Sequence, residues 1–189
     1  MNNRILVTYA SRYGSTAEIA QRVGDVLAKR GYAVDVLPLA EATAPGDYDG
    51  FVLGGAIYSG QWPPEVCEFV GSNEHLLRDK HAALFVVAIR LREAGEEMRQ
   101  SVLSTIDTCR VMVEPDTIGL FAGKIDYDTL SPIVRLQVQT KNLPEGDFRD
   151  WAAIEAWADE VAAAFKQPLP VEPVGSPTAV MAAPAPCCS

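Results

Sequence analysis

The chain has 189 residues, 48% of them apolar and 22% charged, the length and balance of one α/β domain with enough apolar side chains for a sizeable core. Its formal net charge of −9, with no run of Lys and Arg, argues against nucleic acid as a partner and disfavours anionic lipid. The longest apolar run, residues 82–89, is too short to cross a bilayer, and the stretch 5–10 is too short for a signal-peptide core. The expected location is therefore cytoplasmic.

Apolar runs alternate with segments of 3.6-residue period, the pattern of β-α units wound round a parallel sheet. The first predicted strand is residues 5–10, continuously apolar and fit for burial on both faces. A helix follows over about residues 15–30, with Ile19, Val23, Val26 and Leu27 on one face; Ser15-x-x-Glu18 reads as a capping box, and Gly31 ends it. Strand two is residues 33–37. Strand three is residues 50–56, introduced by the turn Pro45-Gly46-Asp47, and a helix from Pro63 carries Val66, Phe69 and Val70. Strand four is residues 82–89, with a helix over 95–106 after it. The fifth strand is expected to begin near Val111, pause at Glu114-Pro115-Asp116 and resume over 118–121, before an irregular stretch that runs to Gly146. The last helix, residues 150–166, sets Trp151, Ile154, Ala158, Val161 and Phe165 on one apolar face. The folded domain is thus residues 1–166, and residues 167–189, rich in Pro, Ala and Val and almost uncharged, read as a disordered tail.

The four cysteines, Cys67, Cys109, Cys187 and Cys188, show no C-x-x-C spacing, and only His75 and His81 could join them as soft ligands. This indicates neither a metal site nor a disulfide framework. Cys67 and Cys109 read as ordinary thiols in or beside helices, the two histidines as satisfied or exposed imidazoles, and Cys187-Cys188 as part of a dispensable end.

The string with most chemical content is Ser11-Arg12-Tyr13-Gly14-Ser15-Thr16, between strand one and helix one. Ligands of open α/β sheets bind beyond the carboxyl ends of the strands, and a helix N-terminus offers free N–H groups and a favourable dipole to an anion. Gly14 permits a tight turn, and the hydroxyls of Ser11, Ser15 and Thr16 can donate to phosphate oxygens. Other phosphate loops do not match: there is no G-x-x-x-x-G-K, no G-x-G-x-x-G and no cysteine for a C-x5-R loop. A response-regulator receiver needs carboxylates after strands one and three, where this chain has Tyr9-Ala10-Ser11 and Gly54-Gly55.

This loop resembles the flavodoxin pattern of hydroxyl residue, two spacers, Gly, spacer, Thr. Residues 9–18 resemble the version found in the menaquinone-dependent protoporphyrinogen oxidase branch of that superfamily. Further similarity lies at Gly54-Gly55-Ala56-Ile57-Tyr58, at residues 121–127 and at residues 146–151, so the resemblance spans about residues 4–166. It implies a flavodoxin-like three-layer α/β sandwich whose five-stranded parallel sheet has the order 2-1-3-4-5, with an insertion after or within strand five. It also implies FMN as cofactor. The phosphate would lie on Ser11, Arg12, Tyr13, Gly14, Ser15 and Thr16, and the isoalloxazine between Gly55, Ala56, Ile57, Tyr58 and Trp62 on one side and Ile89, Arg90 and Leu91 on the other.

Tyr58 or Trp62 could supply a stacking face, the alternative for Trp62 being an anchor for the helix that starts beside Pro63. The loop Ile89-Arg90-Leu91-Arg92 lacks the Tyr that many flavodoxins set against the ring. Arg90 and Arg92 could favour a reduced, anionic flavin from its pyrimidine edge, or be plain surface arginines. If helical, the segment between Lys124 and Gly146 sets Leu130, Ile133, Val134 and Val138 in an apolar stripe near Arg135, Lys141 and Lys124; such a stripe either covers a porphyrin or quinone or caps the sheet edge.

Two functions follow as expectations. One is an FMN oxidoreductase that moves hydride equivalents from a porphyrinogen to a quinone and lies peripheral to the membrane when quinone-linked; no catalytic side chain is named for it. The other is an electron carrier whose acidic surface docks basic redox proteins.

Overall fold

The strand buried along its whole length, β3 (Gly50–Ala56), occupies the centre of the sheet. The computed structural model describes residues 3–93 and 95–167, and in it β3 is flanked by β1 (Arg4–Ala10) and β4 (His81–Val87). The outer strands are β2 (Ala33–Pro38) and β5 (Thr117–Phe121), giving the parallel order β2-β1-β3-β4-β5. This is the flavodoxin-like topology. Alternate strand residues feed two cores. Helices α1 (Ser15–Lys29) and α7 (Trp151–Ala164) cover Ile5, Val7, Val52 and Phe85 on one face. On the other, α2 (Pro64–Ser72), α3 (Glu74–Leu77), α4 (Glu96–Ser104) and α5 (Asp107–Val113) cover Leu6, Phe51, Leu53 and Leu84. Each large apolar side chain fully buried in this way contributes about 1.5–3 kcal/mol.

The insertion follows strand five rather than interrupting it. It comprises β6 (Lys124–Ile125), α6 (Pro132–Thr140) and β7 (Gly146–Asp147), the two short strands pairing antiparallel. Helix α6 buries none of its residues; Ile133 is 73% and Leu136 66% exposed, while Val134 and Val138 are half-buried.

Four local expectations need correction. The capping box at Ser15 and Glu18 does not form: Gly14 is the N-cap, no side chain caps the helix, and Glu18 pairs with Arg149 at 2.8 Å instead. Residues 111–113 end helix α5 rather than begin strand five. Cys109 and Val113 are buried there while Val111 is 72% exposed, a helical period and not an alternating one. Strand four stops at Val87, and Ile89–Glu93 forms a 3-10 turn. Cys67 and Cys109 are not free thiols: α2 and α5 pack together, bring their Cα atoms to 5.3 Å and form a disulfide. The expected tail, with Cys187-Cys188, falls outside the described residues except for Gln167.

Gly54 faces Phe85 across the β3–β4 register, and a Cβ there would lie 1.9 Å from the Phe85 ring, itself fixed edge-on against Trp157. The ring has nowhere to go. Gly54→Ala is expected to destabilise the fold by about 1–3 kcal/mol, as overpacking of a filled core does, read as a lower urea midpoint; an unchanged midpoint would show that the ring can move aside.

Candidate functional site

Three loops leave the carboxyl edge of the adjacent strands β1, β3 and β4, where Ala10 pairs with Gly55 and Gly55 with Val86. In an open parallel sheet this edge is where ligands bind. The first loop is closed by Gly14, whose N–H donates to Ser11 Oγ at 3.1 Å, and Gly14 adopts the left-handed conformation with φ 87°. A Cβ at Gly14 would meet nothing within 4 Å, so the residue is glycine for its backbone and not for space. As N-cap it brings no side chain, which leaves the first-turn N–H groups of α1 aimed at the loop. Thr16 is fully buried there and its Oγ1 has no hydrogen-bond partner, a condition that costs about 1–3 kcal/mol.

The loop after β3 is a tight hairpin in which Tyr58 and Gln61 exchange backbone hydrogen bonds of 2.9 and 3.0 Å. Ser59 (φ 52°) and Gly60 (φ 84°) turn it, both left-handed as a two-residue hairpin of this kind requires. Ile57 N–H donates to Val87 O at 2.8 Å and ties the hairpin root to β4. Tyr58 leans toward the first loop: its hydroxyl accepts from Arg12 N–H at 3.2 Å, the Arg12 guanidinium lies 4.9 Å over its ring, and Tyr13 meets it edge-on at 5.8 Å. Burial pushes the Tyr58 phenol above its ordinary value, partly opposed by the Arg12 N–H.

Trp62 goes elsewhere. It is 5% exposed within the α2-side core, and a Cβ on Gly55 would lie 2.6 Å from its Nε1, so the indole lies on Gly55 and anchors the start of α2. Of the two aromatic candidates, Tyr58 is the one brought to the loop after β1. After β4, Leu91 is buried and Arg90 exposed, while Arg92 lies 5.7 Å over Phe148 and 3.3 Å from Glu93. Arg92 thus reaches toward the insertion. A groove of about 710 Å³ adjoins the first loop at Ser11 and Gly14 but runs toward Leu39 and Phe69, away from the loop after β4.

One residue of the site was invisible as a role in the sequence. Arg149, its side chain only 4% exposed, donates to Asp147 at 2.6 Å and to Glu18 at 2.8 Å and lies 4.5 Å over Trp151. It fastens the β6–β7 hairpin to the first turn of α1. The partners Glu18 and Arg149 are 131 residues apart, and no local pattern announces such a pair.

A profile of the family described as flavodoxin domain matches residues 6–150. The chain belongs to the flavodoxin family. Solved structures of similar fold include a flavodoxin from the domain Archaea, with 14% identity, a TM-score of 0.56 and coverage of 87% of this chain and 99% of that one. Flavodoxin 1 from Bacillus cereus gives 15%, 0.55, 85% and 97%, and the Streptococcus pneumoniae TIGR4 flavodoxin 19%, 0.51, 85% and 98%, in the same order. No curated protein matches the chain. Members of the flavodoxin family carry FMN.

The hydrogen bond from Arg149 holds the Asp147 carboxyl below its usual range. The folded insertion therefore binds that proton less tightly than the unfolded chain does. The stabilisation is present above the ordinary Asp value and is lost as pH falls through the lowered one. Hydrogen-exchange protection of the Phe148 amide, which donates to Gly123 O, is expected to hold from about pH 8 to 5 and to drop below about pH 4. A drop centred near neutral pH would contradict this.

Proposed function

We propose that this flavodoxin-family chain binds FMN through its monophosphate at residues 11–16 and acts as an FMN-dependent oxidoreductase similar to menaquinone-dependent protoporphyrinogen oxidase. The observation that carries the FMN reading is the cradle itself: an uncapped helix N-terminus, a left-handed Gly14 and a buried Thr16 hydroxyl without a partner. These residues fit a phosphate. The first-turn amides and the hydroxyls of Ser11, Ser15 and Thr16 donate to its oxygens, and the exposed Arg12 supplies the one cation within the loop. Bound FMN supplies hydride and single-electron transfer. The chain's own part is to bind and orient: Arg12 holds the Tyr58 ring, burial keeps the Tyr58 phenol protonated, Trp62 anchors the hairpin root, and the turn Ile89–Glu93 stands on the next strand. No side chain is assigned a catalytic proton transfer.

The insertion supports an enzyme over a carrier. Arg149 fixes it beside the phosphate turn, and α6 presents Ile133 and Leu136 to solvent close in sequence to Arg135 and Lys141, with no acidic residue over 130–143. An apolar ring bearing carboxylates, such as a porphyrinogen, or an apolar quinone suits such a surface. The carrier reading draws on the net charge of −9, which steers the chain toward basic redox proteins. No described helix is long and apolar enough to cross a membrane; with a quinone as acceptor, the chain would work in the cytoplasm at the membrane surface.

Two experiments test this. Thr16→Val removes the orphan hydroxyl and keeps the shape, so apoprotein stability should stay level or rise by up to about 1 kcal/mol, while FMN affinity in a fluorescence titration should fall about tenfold, the equivalent of 1.4 kcal/mol. Unchanged FMN affinity would remove Thr16 from the cradle, and absence of any yellow complex in the parent chain would end the FMN reading. For the reaction, anaerobic addition of protoporphyrinogen to oxidised holoprotein should bleach the flavin. Full colour, together with bleaching by a reductase protein, would assign the carrier function instead.

A further inference from the structure

We propose that Cys67–Cys109 is a reversible thiol–disulfide site, entered by a dithiol at Cys67, whose opening frees α2 from α5 and weakens flavin retention. The two sulfurs are differently placed. Cys109 is fully buried among the apolar residues of the α2-side core, whereas Cys67 is half-buried on α2. An incoming thiolate therefore meets the Cys67 side of the bond. Glu65 and Glu68 flank Cys67 and are exposed, α2 carries no Lys or Arg, and Arg110 beside Cys109 on α5 is paired with Asp107 at 3.0 Å, so an anionic monothiol such as glutathione is repelled at Cys67 and an uncharged dithiol is favoured.

The exchange balances as follows. One thiolate of the dithiol forms a bond to Cys67 Sγ, and the Cys67–Cys109 bond breaks with its electron pair on Cys109 Sγ, which takes a proton. The second thiol of the reductant then displaces Cys67 as a thiolate, which takes the other proton, and the reductant leaves as a cyclic disulfide. Two electrons and two protons pass to the cystine. Of the two sulfurs Cys67 is the more accessible, so reclosure starts from Cys67.

The position of the bond links it to the site. Helix α2 grows directly out of the hairpin at Tyr58 and Trp62, and α5 closes the segment that follows the turn Ile89–Glu93. The disulfide, spanning 42 residues of sequence, ties the helix that leaves the first of the loops set to flank a flavin ring to α5, the second helix after the other loop, which leads into β5. Glu114 ends α5 in a left-handed conformation that glycine adopts more readily, so that once the bond opens only side-chain packing keeps α5 against α2. The flavin arm of this inference rests on the FMN reading above; the thiol arm does not.

The test uses the full chain with Cys187→Ser and Cys188→Ser, so that only this pair reports. After air oxidation, a maleimide mass tag should label no thiol in native buffer, and after dithiothreitol it should label two, with glutathione at equal thiol concentration acting far more slowly. Two tags before reduction would show that no bond forms, and tags appearing only in denaturant would show a sealed structural bond; either overturns the site. A C-x-x-C protein dithiol that outpaces dithiothreitol would place the source in a docked protein, and dithiothreitol acting alone would place it in small dithiols. With reductant removed anaerobically, the FMN dissociation constant of the opened form should exceed that of the closed form by about fivefold or more, the lower end of usual coupling between sites. The Cys67→Ser, Cys109→Ser double variant should match the opened form and ignore dithiothreitol. Equal constants in both forms would overturn the coupling, whereas no FMN complex in either form would fail the FMN reading and leave the tagging result standing.

Discussion

The turn that leaves β1 governs the rest of the site. Because Ser11 Oγ takes the Gly14 N–H and Gly14 sits at φ 87°, α1 begins with no side chain over its amino end. A serine or aspartate at that position would satisfy the first-turn amides internally; a left-handed glycine leaves them to a ligand. The buried Thr16 hydroxyl belongs to the same turn, as the second residue of α1, and has no hydrogen-bond partner.

Around that turn, the other loops are held by contacts that also define their roles. Arg12 binds Tyr58 through its backbone N–H and its guanidinium, which couples the loops after β1 and β3. Trp62, lying on Gly55, gives the hairpin a rigid root. Arg149 secures the insertion to Glu18 in the first turn of α1, so the added segment is mounted beside the turn that leaves β1. The exposed Ile133 and Leu136 of the insertion are, with Val111 on α5, the large apolar side chains that the described residues leave open to solvent.

The α2 face adds a second chemical feature. A covalent bond between α2 and α5 sits behind the hairpin, in an apolar core that includes Val66, Val70 and Ile106. The cystine thus adds a covalent constraint between α2 and α5 beside the loop after β3.

Strands β1 and β3, the helix after residue 14, the parallel class of the sheet and the tight glycine turn after β1 were all legible in the sequence, because each depends on neighbours within a few residues: a continuous apolar run, a 3.6-residue period, a glycine between hydroxyls. Residues 111–113 misled because Val111 and Val113 are good strand formers, whereas in the fold they end helix α5, which packs against α2. The same limit applies to the cystine across 42 residues, to the Glu18–Arg149 pair across 131, and to which of Tyr58 and Trp62 turns toward the loop and which into the core. Short-range sterics and periodicity are written residue by residue, whereas these contacts exist only once the sheet has brought distant segments to one edge, and that path is a property of the whole chain.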